Sequence, residues 1–165
     1  MQVKFKDDFF KLYGKTVEKG QEVSFSVTDV FFNDVELKNF NKLTVISVFP
    51  ALNTSVCDEQ TVGISNLAKK YPEVNFISIS LNLPPTISEW KTKNQIHNIE
   101  IYSDYKNREF GKKFGFLIED VFLLNRGYLL VDKNSKIIEF SYMTDIHEQI
   151  DFKTLENQIK NHLDK

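Results

Sequence analysis

Two stretches constrain this chain more than any other: Lys42–Phe49 (KLTVISVF) and Val74–Leu81 (VNFISISL). Both are short, β-branched and nearly continuous in apolar character, the pattern of strands buried on both faces. Such strands cannot lie at a wet surface, so other layers must cover the sheet that holds them. The segment between them, CDEQTVGISNLAKKYPE (Cys57–Glu73), places Ile64, Leu67 and Ala68 on one side of a helix, and Pro72 marks its end.

The remaining elements follow from periodicity and turn chemistry. VKFKD and FKLYGKTV predict a hairpin turning at Asp7-Asp8. Val23, Phe25 and Val27, then Val35 and Leu37, alternate as half-wet strands around a turn at Asn33-Asp34. A weak helix is expected over residues 86–97, closed off from VNFISISL by NLPP, and IEIYSD (Ile99–Asp104) reads as a short strand. NREFGKKFG suits a short helix ending at Gly115, and GYLLVD and KIIEFSY form a strand pair across Lys133-Asn134-Ser135. Phe152, Leu155, Ile159 and Leu163 recur at helical spacing behind Asp151 as N-cap. The expected product is one α/β domain over residues 1–165: a mixed central sheet, helices on both faces and an N-terminal β-hairpin. A thioredoxin-like fold fits this order, which by itself leaves other three-layer folds open.

Cys57 is the single cysteine, so an intrachain disulfide, a CxxC redox pair and a cysteine-rich zinc site are all ruled out. Its setting, SVFPALNTSVCDEQT, puts it directly after a buried strand, behind Pro50 and Thr54, in the first turn of a helix starting around Thr54 to Val56. A thiolate is the nucleophilic form of cysteine, whose ordinary pKa is about 8.5. The helix N-terminus favours a nearby anion, and Thr54, one turn earlier, can aim its hydroxyl at the same side. A cation would complete such a site, but the local stretch has none. The histidines, His97, His147 and His162, show no metal-binding spacing. A Cys–His hydrolase stays open on composition, although nothing couples a histidine to Cys57. The formal net charge of −2 gives no electrostatic reason for a nucleic-acid or anionic-membrane partner. The charged amino terminus lacks a signal-peptide core, and no apolar run approaches the ~20 residues of a membrane span. A cytoplasmic protein is expected.

The joint spacing Pro50-x3-Thr54-x2-Cys57 resembles the PxxxTxxC motif of peroxiredoxins, and ISVFPALNTSVC more narrowly resembles their thiol peroxidase branch. YGKTVEKGQ, VTDVFFNDVELKNF, ISLNLPPTISEW and LLNRGYLLVDKNSKI resemble further segments of that branch, in order, over most of the chain. The resemblance implies a thioredoxin-like fold and a peroxidase in which Cys57 attacks hydrogen peroxide or an organic hydroperoxide. It also implies that Arg126 holds the thiolate and the peroxide. Pro50 would shield the sulfur, Thr54 would hydrogen-bond the peroxide, and the N–H groups of Val56 and Cys57 would complete the pocket. No cofactor or metal is implied; a homodimer is, with Trp90 and the many Phe residues as core or interface.

The chain departs from the pattern at one decisive position. Trp90 is followed by Lys91, where the branch usually carries a resolving cysteine. Lysine is not a conservative replacement for cysteine and the flanking residues have drifted too, which favours a natural one-cysteine relative. An external thiol, thioredoxin or a small thiol, must then close the cycle. The other reading is a catalytically weak relative serving as a peroxide sensor or binding module. Gly63 replaces a basic residue of the branch inside the helix, at about 1 kcal/mol relative to alanine.

Overall fold

In the computed structural model, which describes residues 1–164, the chain runs β1 (Gln2–Phe5), β2 (Asp8–Lys11), β3 (Phe25–Thr28), β4 (Asp34–Leu37), β5 (Thr44–Val48), α1 (Ser55–Lys70), β6 (Asn75–Ser80), α2 (Pro84–Lys93), β7 (Glu100–Ser103), α3 (Glu109–Lys113), β8 (Gly127–Val131), β9 (Ile137–Tyr142) and α4 (Phe152–Leu163). Seven strands form one sheet in the order β4-β3-β7-β6-β5-β8-β9, and β1-β2 is a separate hairpin. β5, β6 and β7 are parallel, while β8 joins β5, and β3 joins β7, antiparallel.

The two buried runs occupy the centre, which explains their texture. Val45, Phe76, Tyr128 and Leu130 point to one face, against Ile64 and Leu67 of α1, Ile87 and Trp90 of α2, and Leu155 and Ile159 of α4. Ile46, Val48, Ile77 and Ile79 point to the other, against Phe110, Phe114 and Phe116. A period-two alternation with apolar cover on both sides reads in sequence as an unbroken apolar run. The expected mixed sheet, two-sided helical cover and N-terminal hairpin are all present.

Three local expectations are corrected. The first hairpin turns at Lys6-Asp7, with Lys6 at φ 57, so Asp8 belongs to β2. The β3–β4 turn runs from Asp29 to Asn33: Asp29 Oδ1 accepts from Phe31 N at 2.8 Å and Asn33 N at 2.9 Å, and Asp34 already lies in β4. An Asx side chain that captures two main-chain donors sets a turn on its C-terminal side. Finally, α2 covers 84–93 and not 86–97, because Pro84 and Pro85 start it as its first residues instead of closing the strand before it.

Gly63 has a use beyond its helical cost. A Cβ there would run into the ring of Phe152, which crosses α1 at that point from the start of α4. The predicted cap of α4 is made: Asp151 Oδ1 accepts from Thr154 N at 3.1 Å. Among the described residues no helix is long and apolar enough to cross a membrane.

Candidate active site

The site begins where β5 ends. Val48, Phe49 and Pro50 are buried, and the chain then turns through Asn53, at φ 66, into α1. Asn82 Oδ1 takes Leu52 N at 2.9 Å, and Asp58 Oδ1 takes Asn53 N at 2.9 Å, so the loop is tied to α1 and to the end of β6. Thr54 is the N-cap in extended conformation, but its side chain does not cap. Its hydroxyl donates to the Ala51 carbonyl at 2.9 Å, which leaves the Thr54 oxygen as an acceptor. Cys57 then falls in the first turn of α1, 1% exposed. The N–H groups of that turn have no partner within the helix.

The cation missing from the local sequence arrives from β8. Val48 pairs with Gly127, so Arg126, the residue before β8, lies beside the end of β5 where α1 starts. Arg126 is 2% exposed, and its guanidinium is held on three sides. Nε and Nη2 donate to the Ile146 carbonyl at 3.1 and 2.8 Å, while Nη1 donates to Gln60 Oε1 at 2.8 Å and lies 3.4 Å from Cys57 Sγ. The oxygen acceptors are neutral. Among the described residues, no ion pair involves Arg126.

Pro50, Thr54, Cys57 and Arg126 thus line one cavity of about 330 Å³, together with Phe5, Leu123, Ile146 and His147. Its lining is mostly apolar, and the sulfur and the guanidinium meet in it. A buried cation, a nucleophile beside it and the free N–H groups of a helix start suit a reaction in which negative charge passes from the sulfur to a small oxygen substrate.

Four contributors were not read from the sequence. Gln60 is fully buried and donates through Nε2 to Ser47 Oγ at 2.8 Å and Val48 O at 3.0 Å while accepting from Arg126. One turn after Cys57 on the same helix face, it carried a usable signal. The Ile146 carbonyl carried none, since a main-chain acceptor has no residue type. Phe5 comes from the N-terminal hairpin, and His147 stacks on it at 6.0 Å between centroids. Of the other histidines, His162 lies 3.5 Å from Glu139, and His97 lines a separate cavity with Pro72 and Asn98. Trp90 is buried in the core and anchors α2, so Lys91 sits on an intact helix.

The model of the AhpC/TSA family matches residues 19–140, well over half of the chain. The chain belongs to the AhpC/TSA family. Within this family it lies on the thiol peroxidase branch of the peroxiredoxins: it is 32% identical to the thiol peroxidase of Oceanobacillus iheyensis over 99% of this chain and 98% of that one. The fold of this AhpC/TSA member is similar to a peroxiredoxin-like protein from Aquifex aeolicus, with TM-score 0.90 at 22% identity over 97% and 96% of the two chains. It is also similar to the thiol peroxidase from Chromobacterium violaceum, with TM-score 0.86 at 17% identity over 99% and 97%. The expected thioredoxin-like fold is therefore the observed one.

Proposed function

We propose that this chain is a thiol-dependent peroxidase that runs its cycle on one cysteine. The observation that carries the proposal is the buried contact between Arg126 and Cys57. A desolvated guanidinium with only neutral oxygen acceptors is costly to bury unless a negative charge balances it. Cys57 Sγ is the group in that contact able to carry one.

The Cys57 thiolate attacks the terminal oxygen of a hydroperoxide in line with the O–O bond. An S–O bond forms as the O–O bond breaks, and the sulfur is oxidised to sulfenic acid. The leaving oxygen departs with its electron pair, takes a proton and becomes water or an alcohol. Arg126 donates to the attacking sulfur and to the peroxide, and charge spreads under its fixed donors as the bond breaks. The Thr54 oxygen, whose O–H already donates to the Ala51 carbonyl, accepts from the peroxide O–H, and the N–H groups of Val56 and Cys57 complete the cradle. Pro50 keeps water from the sulfur. An external thiol then condenses with the sulfenic acid, releasing water and forming a mixed disulfide. A second thiol displaces Cys57 as thiolate and leaves oxidised as the disulfide of the two. The electrons come from thiols, so this chemistry asks for no metal or organic cofactor. The reading includes a homodimer and a cytoplasmic setting, where reduced thiols are abundant.

Steady-state peroxide consumption, with thioredoxin, glutaredoxin plus glutathione, and small thiols supplied in turn, tests the proposal. Turnover is expected with at least one of them. Cys57→Ser abolishes it, and Arg126→Met slows the peroxide step with little loss of fold. Stoichiometric oxidation without turnover under any reductant would point instead to a peroxide sensor.

A further inference from the structure

The N-terminal hairpin stands outside the seven-stranded sheet, yet its Phe5 lines the cavity of Cys57 and Arg126. The Ile146 carbonyl, which takes two donors from Arg126, belongs to the segment between β9 and α4. That segment is a strap with three fastenings. Near its start, Asn125 Nδ2 donates to the Met143 carbonyl at 2.9 Å, and Met143 N donates to the Arg126 carbonyl at 2.9 Å. Near its end, Gln149 Nε2 donates to the carbonyl of Val56, the residue before Cys57, at 3.1 Å.

The third fastening is the hairpin. Lys4 N donates to the Thr144 carbonyl at 2.8 Å and Ile146 N donates to the Lys4 carbonyl at 3.0 Å, so Lys4 pairs in parallel with Asp145. Below this pairing the side chains of Val3, Leu12, Ile118 and Ile146 form a small core of their own. Both main-chain groups of Lys4 are thus spent on the strap, and they hold the two peptides that lead into the one carrying the Arg126 acceptor.

The geometry points to β1 as a positioning element for Arg126: the Lys4 backbone, through the Thr144–Ile146 strap, aims the guanidinium at Cys57 Sγ. This rests on the peroxidase reading for its assay. Arginine has a long, flexible side chain, and here one carbonyl oxygen holds two of its three nitrogens. If that oxygen is free to shift, the guanidinium is left with Gln60 as its one oxygen acceptor. A displacement of about 1 Å in a group that acts on the reacting atoms can cost a hundredfold in rate.

Lys4→Pro tests this directly. Proline removes the N–H that binds Thr144 and sets its ring against that carbonyl, while the pairing of Lys4 with Phe9 is left in place. Val3→Ala is the milder second variant, since it empties part of the core below the strap. Both are expected to slow the single-turnover oxidation of Cys57 by peroxide, about tenfold or more for Lys4→Pro. Thiolate absorbance at neutral pH should fall with the rate. The deciding measurement is the double variant with Arg126→Met, in which the hairpin change has nothing left to aim and should cost no more than about twofold. Equal slowing with and without Arg126 would overturn the inference and make β1 a matter of stability alone. A wild-type rate and thiolate signal in Lys4→Pro, with hydrogen exchange showing the strap released, would overturn it as well. Absence of any Cys57 oxidation in the unmodified protein would instead overturn the peroxidase reading.

Discussion

Gln60→Leu removes three buried hydrogen bonds at once while nearly conserving side-chain volume. Two are neutral, from Nε2 to Ser47 Oγ at 2.8 Å and to Val48 O at 3.0 Å, and one accepts from the Arg126 guanidinium at 2.8 Å. A neutral buried bond is worth about 1 kcal/mol net and one to a charged group about 1.5–3 kcal/mol. The leucine recovers part of that by burying methyl groups in place of an amide. The net destabilisation is therefore expected at about 2–4 kcal/mol, a large share of the roughly 5–15 kcal/mol that holds a domain folded. Denaturant unfolding should show a lower midpoint with an unchanged slope, because the surface exposed on unfolding is the same. The peroxide step should slow as well, since Nη1 loses the partner that fixes it beside Sγ. Gln60→Glu separates aim from charge. It keeps an acceptor for Arg126 but gives the guanidinium a counter-ion of its own and sets an oxygen against the Val48 carbonyl. Its peroxide step should slow by more than its loss of stability explains. An unfolding free energy within 0.5 kcal/mol of wild type for Gln60→Leu, together with an unchanged peroxide rate, would refute the network as the support of Arg126.

Asp104 is 2% exposed, and burial pushes its carboxyl up to about 7, although Phe110 N and Gly111 N donate to its two oxygens. The native state then keeps a proton that the unfolded state loses near pH 4, so this group's contribution to stability falls as pH rises from about 4 to 7. Melting temperatures across that range should fall in wild type and lose this slope in Asp104→Asn. Gly63→Ala should destabilise despite the helix propensity it gains, because its Cβ meets the Phe152 ring. A loss of about 1–3 kcal/mol is expected, and Phe152→Ala should relieve most of the clash in the double variant. After one equivalent of peroxide, intact mass should show one added oxygen on Cys57, rising to two or three in excess. Lys91→Cys should instead lose two hydrogens, provided α2 unwinds far enough to bring the Cα atoms within about 7 Å; added oxygen in that variant would refute position 91 as the resolving place.

What the sequence alone determines here is local and periodic. The central strands follow from two apolar runs, α4 from its spacing behind Asp151, and the position of Cys57 at a helix start from Pro50 and Thr54. Even the misplaced turns fail for a local reason. Adjacent polar residues at Asp7-Asp8 and Asn33-Asp34 carry similar turn chemistry, and the choice between neighbouring registers is made by strand pairing. The cation is another matter. Arg126 is named in advance by resemblance, but it reaches Sγ 69 residues away because β8 pairs with β5 at Val48–Gly127. Helical spacing puts Gln60 on the face of Cys57, but nothing local announces that it bridges two strand residues and the guanidinium, or that the Ile146 carbonyl receives Arg126. These partners are main-chain groups or lone polar side chains, and their significance is created when distant segments meet. Side-chain patterns record which surfaces are buried, whereas the aim of a buried guanidinium depends on hydrogen bonds that only the assembled structure brings within reach.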